Sequence, residues 1–297
     1  MTKHAVVFAY HDVGVYCLQA LLDHGVRIDL VVTHRDDPNE NIWFQSVESF
    51  CKQHQLPYEI VERDQLESLI PRLKSIAPDY LFSFYYRFML PQELLNTAKI
   101  AALNMHGSLL PKYRGRAPVN WAVLHGETET GATLHMMEVK PDAGDIVGQV
   151  AVPIEIHETA QQVFMKVSQA AKQVMESVLP QLIQGQVPRR ANPLSEGSYF
   201  GGRKPEDGRI DWSQSATTIY NLIRAVAPPY PGAFTEINGS RITVIKSSLP
   251  IDPQTDLAPN LCDFLKKAGL GAHLVDNQCF GVCGDGKVLE LFLDRSR

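Results

Sequence analysis

The stretch AVVFAYHDVGVYCLQALLDHGVRIDLVVT, residues 5–33, sets the architecture. Ala5 to Tyr10 is an unbroken apolar run of strand length. His11-Asp12-Val13-Gly14 reads as a turn. Val15 to His24 then carries Leu18, Leu21 and Leu22 at helical spacing, and Gly25 just past it is a stop signal. Arg27 to Thr33, with Ile28, Leu30, Val31 and Val32, reads as a second strand. Strand, helix and strand of these lengths make a right-handed βαβ unit. The turn holds only Gly14, whereas a dinucleotide fingerprint needs three glycines, so the reading excludes NAD.

The alternation continues outward. A polar loop, Arg35-Asp36-Asp37-Pro38-Asn39-Glu40, leads to an expected helix over Ile42 to His54 with Phe44, Val47 and Cys51 on one face. Tyr58 to Val61 is a short strand. Asp64 is the expected cap of a helix through Leu66, Leu69, Ile70 and Leu73, weakened in its middle by Pro71. Asp79 to Tyr85 is another buried strand, and Pro91 starts a short helix over Leu94 and Leu95. The expected class is α/β, with a Rossmann-like, mostly parallel sheet covered on both faces. In such sheets ligands bind outside the carboxyl ends of the strands.

Beyond that, Thr133 to Val139 and Ile146 to Pro153 read as two strands joined by Lys140-Pro141-Asp142-Ala143-Gly144-Asp145. Thr159 with Gln162 forms a capping box for a helix striped by Val163, Val167, Ala170, Val174 and Val178. Gln184 to Pro205 is rich in Gly, Pro, Asn, Ser and Arg and reads as a linker or crossing segment. A helix over Ile219, Leu222, Ile223 and Val226 follows, then the rigid break Pro228-Pro229-Tyr230-Pro231-Gly232. Strands are expected over Ala233 to Ile237, Ile242 to Lys246 and Val288 to Leu293, with Asn238-Gly239 as a hairpin turn. Two domains are expected: 1–190, and a smaller β-rich, OB-like domain over 204–297.

The 297 residues are 44% hydrophobic and 21% charged, an ordinary globular composition. The net charge of -5 argues against a large nucleic acid as partner, because such binders carry a basic face. The five cysteines are odd in number and scattered, which fits a reducing cytosol better than a disulfide framework. Cys279 and Cys283 have no second pair nearby, so no zinc or other metal is expected. The first apolar run is too short for a signal peptide or a membrane span, so a cytoplasmic protein is expected.

The chemistry concentrates in AALNMHGSLLPKYRGRAPVNW, residues 101–121. An apolar run, Ile100 to Leu103, ends in Asn104 and His106. Alternate residues of a strand face one side, so an amide and an imidazole leave the carboxyl end together. An amide polarises a carbonyl and an imidazole moves a proton, which suits acyl chemistry. Lys112, Arg114 and Arg116 put three cations in one short loop and suit a carboxylate or phosphate. Residue by residue, a strand-end histidine and a solvated basic loop explain as much. The whole string favours function.

Asn104-Met105-His106-Gly107-Ser108-Leu109-Leu110-Pro111, followed by Tyr113-Arg114-Gly115, resembles the signature of formyltransferases that use 10-formyltetrahydrofolate. The resemblance implies an enzyme with a catalytic trio of Asn104, His106 and an aspartate from a hairpin. Lys140 to Val147 resembles that hairpin, and Asp142 matches the aspartate, with Asp145 second. Read alone, Asp142 is at least as well explained as a turn aspartate. Carried over likewise, the donor site falls on Phe88, Met89 and Leu90, on Arg116, and on Glu138, Val139, Lys140, Pro141 and Asp142.

Ala9-Tyr10-His11-Asp12, Phe82-Ser83-Phe84-Tyr85-Tyr86-Arg87, Arg224-Ala225-Val226 and Pro231-Gly232-Ala233-Phe234 are similar to the UDP-4-amino-4-deoxy-L-arabinose formyltransferases that serve lipid A modification. Bifunctional members carry a second nucleotide-binding half, which this chain, ending near Arg297, is expected to lack. The resemblance thus implies 10-formyltetrahydrofolate as co-substrate and a nucleotide-linked amino sugar as acceptor. TDP-linked sugars, methionyl-tRNA and a non-catalytic folate or nucleotide sensor stay open.

Overall fold

The computed structural model describes residues 2–38 and 41–294; Asn39 and Glu40 of the polar loop and the chain end near Arg297 lie outside the described residues. The chain divides into two compact units. Met1–Pro118, Glu129–Pro153 and Phe164–Gly201 form the first; Val119–Thr128, Ile154–Val163 and Gly202–Arg297 form the second.

The first unit is built on strands β1 (His4–Ala9), β2 (Arg27–Thr33), β3 (Tyr58–Ile60), β4 (Tyr80–Phe84), β5 (Ala101–His106), β6 (Arg114–Gly115), β7 (Glu129–Met136), β8 (Ile146–Pro153) and β9 (Tyr199–Phe200). Seven of these make one sheet in the order β3-β2-β1-β4-β5-β7-β8. The first five run parallel; β5–β7 and β7–β8 are antiparallel. Residues 5–9 of β1 and 80–84 of β4 are buried throughout, as continuous apolar runs require when both faces are covered. The expected Rossmann-like, mostly parallel sheet is therefore the observed one.

The helices are α1 (His11–Asp23), α2 (Val47–Gln53), α3 (Ile70–Ile76), α4 (Gln92–Leu95), α5 (Pro118–Leu124), α6 (Ala160–Ile183), α7 (Ala216–Val226) and α8 (Pro259–Ala268). Several differ from the sequence expectation for local reasons. His11 to Gly14 is the first turn of α1 rather than a loop. A Cβ on Gly14 would stand 3.1 Å from the Ala9 Cβ and the Val47 Cγ2, so glycine lets the helix close on the strand at once. α2 starts at Val47, not Ile42, because the Ser46 hydroxyl accepts from the Ser49 N–H at 3.2 Å and caps it. Arg63–Leu69 is a 3₁₀ helix opened by a Glu62/Gln65 capping box, not by Asp64. Pro71 then lies in the first turn of α3, where its missing N–H leaves no bond unmade.

The Thr159/Gln162 box that opens α6 is present, with Thr159 N–H to Gln162 Oε1 at 2.9 Å and Gln162 N–H to Thr159 Oγ1 at 3.4 Å. Its apolar stripe is buried. The crossing segment holds one strand the sequence did not disclose: β9 pairs in parallel with β6.

In the second unit, β10 (Ala233–Ile237), β11 (Ser240–Ser247), β12 (Gly271–Val275), β13 (Gln278–Val282) and β14 (Val288–Leu293) form an antiparallel sheet in the order β10-β11-β14-β13-β12. It is the expected β-rich partner. α7 contributes Ile219 and Ile223 to a cluster with Ala233, Val244, Leu289 and Leu291. β12, β13 and α8 went unread in the sequence. Asp276 and Asn277, which turn β12 into β13, both take positive φ. No described helix is long and apolar enough to cross a membrane.

Candidate active site

The catalytic candidates meet where β5 runs out. β5 and β7 are antiparallel with Asn104 opposite His135 and His106 opposite Thr133. β7 stops at Met136, short of the expected Val139, so residues 137–145 form a loop that returns Asp142 to β5. Met136 N–H donates to Asp145 O at 2.8 Å, and Asn192 Nδ2 donates to the carbonyls of Asp142 and Gly144, each at 3.1 Å. The loop is thus held from both sides. Asp142 takes φ 51°, which aspartate tolerates better than most residues.

The Asp142 carboxylate accepts the Gly115 N–H at 2.8 Å and stands 3.5 Å from His106 Nδ1 and 3.5 Å from His135 Nε2. His106 Nε2 donates to the Tyr113 carbonyl at 2.8 Å, so Nδ1 is the ring atom left to exchange a proton beside the carboxylate. His106 is 6% exposed and His135 2%. Burial by itself raises the Asp142 carboxyl. The charge of the His106 ring, the hydrogen bond and charge of His135 and the Gly115 N–H outweigh it and hold the carboxyl well below the usual carboxylate range. Asp142 is therefore a poor proton acceptor and a strong electrostatic partner.

His135 is the residue that sequence reasoning missed. Its Nδ1 donates to the Met136 carbonyl at 2.8 Å, so in the neutral ring Nε2 accepts from Asn104 Nδ2 at 3.0 Å. That fixes which end of the amide faces the ring and leaves Asn104 a second N–H to offer. The available signal was weak: a histidine alternating with Thr133 on an otherwise apolar strand. Thr133 also serves the site's frame, donating to Ser108 O at 2.6 Å and accepting from Leu110 N–H at 3.2 Å.

The donor-site candidates divide. Phe88 and Leu90 pack against the cluster that holds Leu94, Leu95 and Ala102, and Met137 packs against the same cluster. Residues 88, 90 and 137 therefore meet one apolar cluster. Met89 and Val139 are 60% and 75% exposed, so both present apolar side chains to solvent. Glu138, Lys140 and Arg116 are exposed, Pro141 half-buried. Arg116 is anchored through its backbone, N–H to Phe200 O at 3.0 Å. Asp145, the runner-up to Asp142, contributes its backbone carbonyl.

The sheet order places β1 between β2 and β4, so its carboxyl end is the topological switch point. There His11 stacks on Phe44 at 3.7 Å, with Trp43, Phe164 and Tyr85 rings at 4.8, 4.6 and 5.8 Å. Among the described residues no cluster of His, Cys, Asp and Glu is arranged to hold a metal.

Residues 10–179 match the formyl transferase family, and residues 203–289 match the formyl transferase C-terminal domain. Solved structures of the same fold include an N-formyltransferase from Helicobacter canadensis with folinic acid and dTDP-3-aminofucose. It is 19% identical with a TM-score of 0.73, over 99% of this chain and 100% of that one. The sugar 3N-formyl transferase WlaRD, with dTDP and 5-N-formyl-THF, is also 19% identical at 0.73, over 100% and 99% of the two chains. A 4-N formyltransferase from Francisella tularensis is 22% identical at 0.66, over 82% of this chain and 96% of that one.

Proposed function

The chain belongs to the formyl transferase family, and on that premise we propose that it moves a formyl group from 10-formyltetrahydrofolate to the amine of a nucleotide-linked amino sugar. The observation that carries the reading is the meeting of Asn104, His106 and Asp142 at one strand end, with Asp142 3.5 Å from the His106 ring.

In the transfer, the neutral amine attacks the formyl carbon and the carbonyl oxygen becomes an oxyanion. The second N–H of Asn104 stabilises that oxyanion, with His135 holding the amide in place. The carbon–nitrogen bond to the folate breaks as the new amide forms. One proton leaves the amine and one arrives on the folate nitrogen, so His106 takes up the first and returns it. Asp142 stays ionised and stabilises the charged ring between the two events. The donor's pterin lies between 88–90 and 138–142, with Arg116 at the margin.

The finer acceptor is UDP-4-amino-4-deoxy-L-arabinose, the substrate of the formyltransferase domain of ArnA, which places the product on the route to modified lipid A. The strings Ala9 to Asp12 and Phe82 to Arg87 support it. The dTDP-3-aminofucose of one structural neighbour and the dTDP of another support the wider class of nucleotide-linked amino sugars. A reducing cytoplasm suits the five buried, unbridged thiols.

The test is to mix the protein with 10-formyltetrahydrofolate and a panel of UDP- and dTDP-linked amino sugars and to follow tetrahydrofolate by absorbance. Acceptor-dependent release with a UDP-linked 4-amino sugar is expected. Release only with charged initiator tRNA would move the reading to methionyl-tRNA, and none with any amine would sink the enzymatic assignment.

A further inference from the structure

Arg114 is 8% exposed, yet among the described residues its guanidinium makes no hydrogen bond or ion pair, and its Nε is buried without an acceptor. The contrast is Arg224, 7% exposed in the second unit. Its Nε donates to Asn221 Oδ1 at 2.9 Å and its two terminal nitrogens to the carbonyls of Glu158 at 3.1 Å and Val123 at 3.3 Å. A guanidinium stays charged at any working pH, and the terminal nitrogens of this one are not among the buried unpartnered atoms, so they are open to an anion from outside. Folds keep such local conflicts mainly where function requires them.

The backbone puts this residue beside the trio. One edge of β6 lies on β9, where the Arg114 N–H donates to Ser198 O at 3.0 Å. Along the other edge, the Tyr113 carbonyl accepts from His106 and the Gly115 N–H donates to Asp142. Arg114 is therefore set between the two peptide groups that hold the catalytic imidazole and carboxylate.

We propose that Arg114 binds the diphosphate of the acceptor, whose negative charge the guanidinium matches. The inference rests on the nucleotide-linked amino sugar reading and deepens it. The diphosphate fits better than the carboxylates of the folate. In an amino sugar nucleotide one pyranose ring separates the reacting amine from the phosphates, whereas the folate carboxylates lie beyond the benzoyl ring, on the far side from the pterin. A guanidinium also matches phosphate oxygens two at a time, which a lysine cannot do.

The experiment compares wild type with Arg114→Met and Arg114→Lys, using UDP, inorganic pyrophosphate and uridine as probes in calorimetric titration, with 5-formyltetrahydrofolate as donor control. UDP and pyrophosphate should bind wild type and uridine should not. Arg114→Met should weaken UDP by roughly 10–100-fold, the range for a lost charged hydrogen bond, with Arg114→Lys in between and donor affinity unchanged.

Unchanged UDP affinity in Arg114→Met, no UDP binding by wild type, or loss confined to the folate would each overturn the proposal. If UDP binding depends on Arg114 but no nucleotide-linked amino sugar is formylated, the acceptor reading fails while the diphosphate site stands.

Discussion

Replacing Asp142 with Asn keeps the shape of the side chain and removes only its charge. The Gly115 N–H still has a carbonyl oxygen to donate to, so the loop stays anchored. What goes is the field of a carboxylate 3.5 Å from His106 Nδ1. At that distance a unit charge pair is worth about 4–5 kcal/mol for an effective dielectric of 20. The side chain of Asp142 is only 12% exposed, so solvent screens little of it. Only the part that grows as the proton moves onto the ring lowers the barrier. At about 1.4 kcal/mol per tenfold, the full pair corresponds to roughly a thousandfold, and the differential part to about 10²–10³ in kcat. Steady-state release of tetrahydrofolate gives kcat, and titration with 5-formyltetrahydrofolate gives donor affinity, which should stay within a few-fold. A kcat within tenfold of wild type, or a loss seen only in KM, would refute the electrostatic role.

His135→Ala should lower kcat by about 10²-fold, because Asn104 loses the acceptor that orients its oxyanion donor; unaltered turnover would show that the amide needs no such support. Gly115→Ala places a Cβ 2.1 Å from the Phe200 carbonyl oxygen at φ 99°. It should cost at least about 2 kcal/mol in urea unfolding and drag the N–H away from Asp142, so an unchanged midpoint would contradict the close approach of β6 and β9. The folded Asp142 carboxyl lies below its ordinary value of 3.8. The unfolded chain therefore binds its proton first, and the stability it contributes is complete above about pH 4 and lost as pH falls further. Acid unfolding of Asp142→Asn should show a shallower decline below pH 4, and parallel curves would mean that the group is not depressed.

Features that depend on near neighbours along the chain could be read directly. The apolar runs of β1, β2 and β4, the alternation of Asn104 and His106, the Thr159/Gln162 box and the Asn238-Gly239 turn are all written within a few residues, because strand and helix periods are local properties. Boundaries slipped where a neighbour decided them: Val47 against Gly14 at the start of α1, and the Glu62 box that displaced Asp64. The role of His135 belongs to the register between β5 and β7, which sets residues 31 positions apart face to face. The placement of Arg114 depends on the pairing of β6 with the distant β9. Sequence spacing records which charges a loop carries. Whether a charge meets water, a partner or nothing is settled by long-range burial, and only the folded chain decides that.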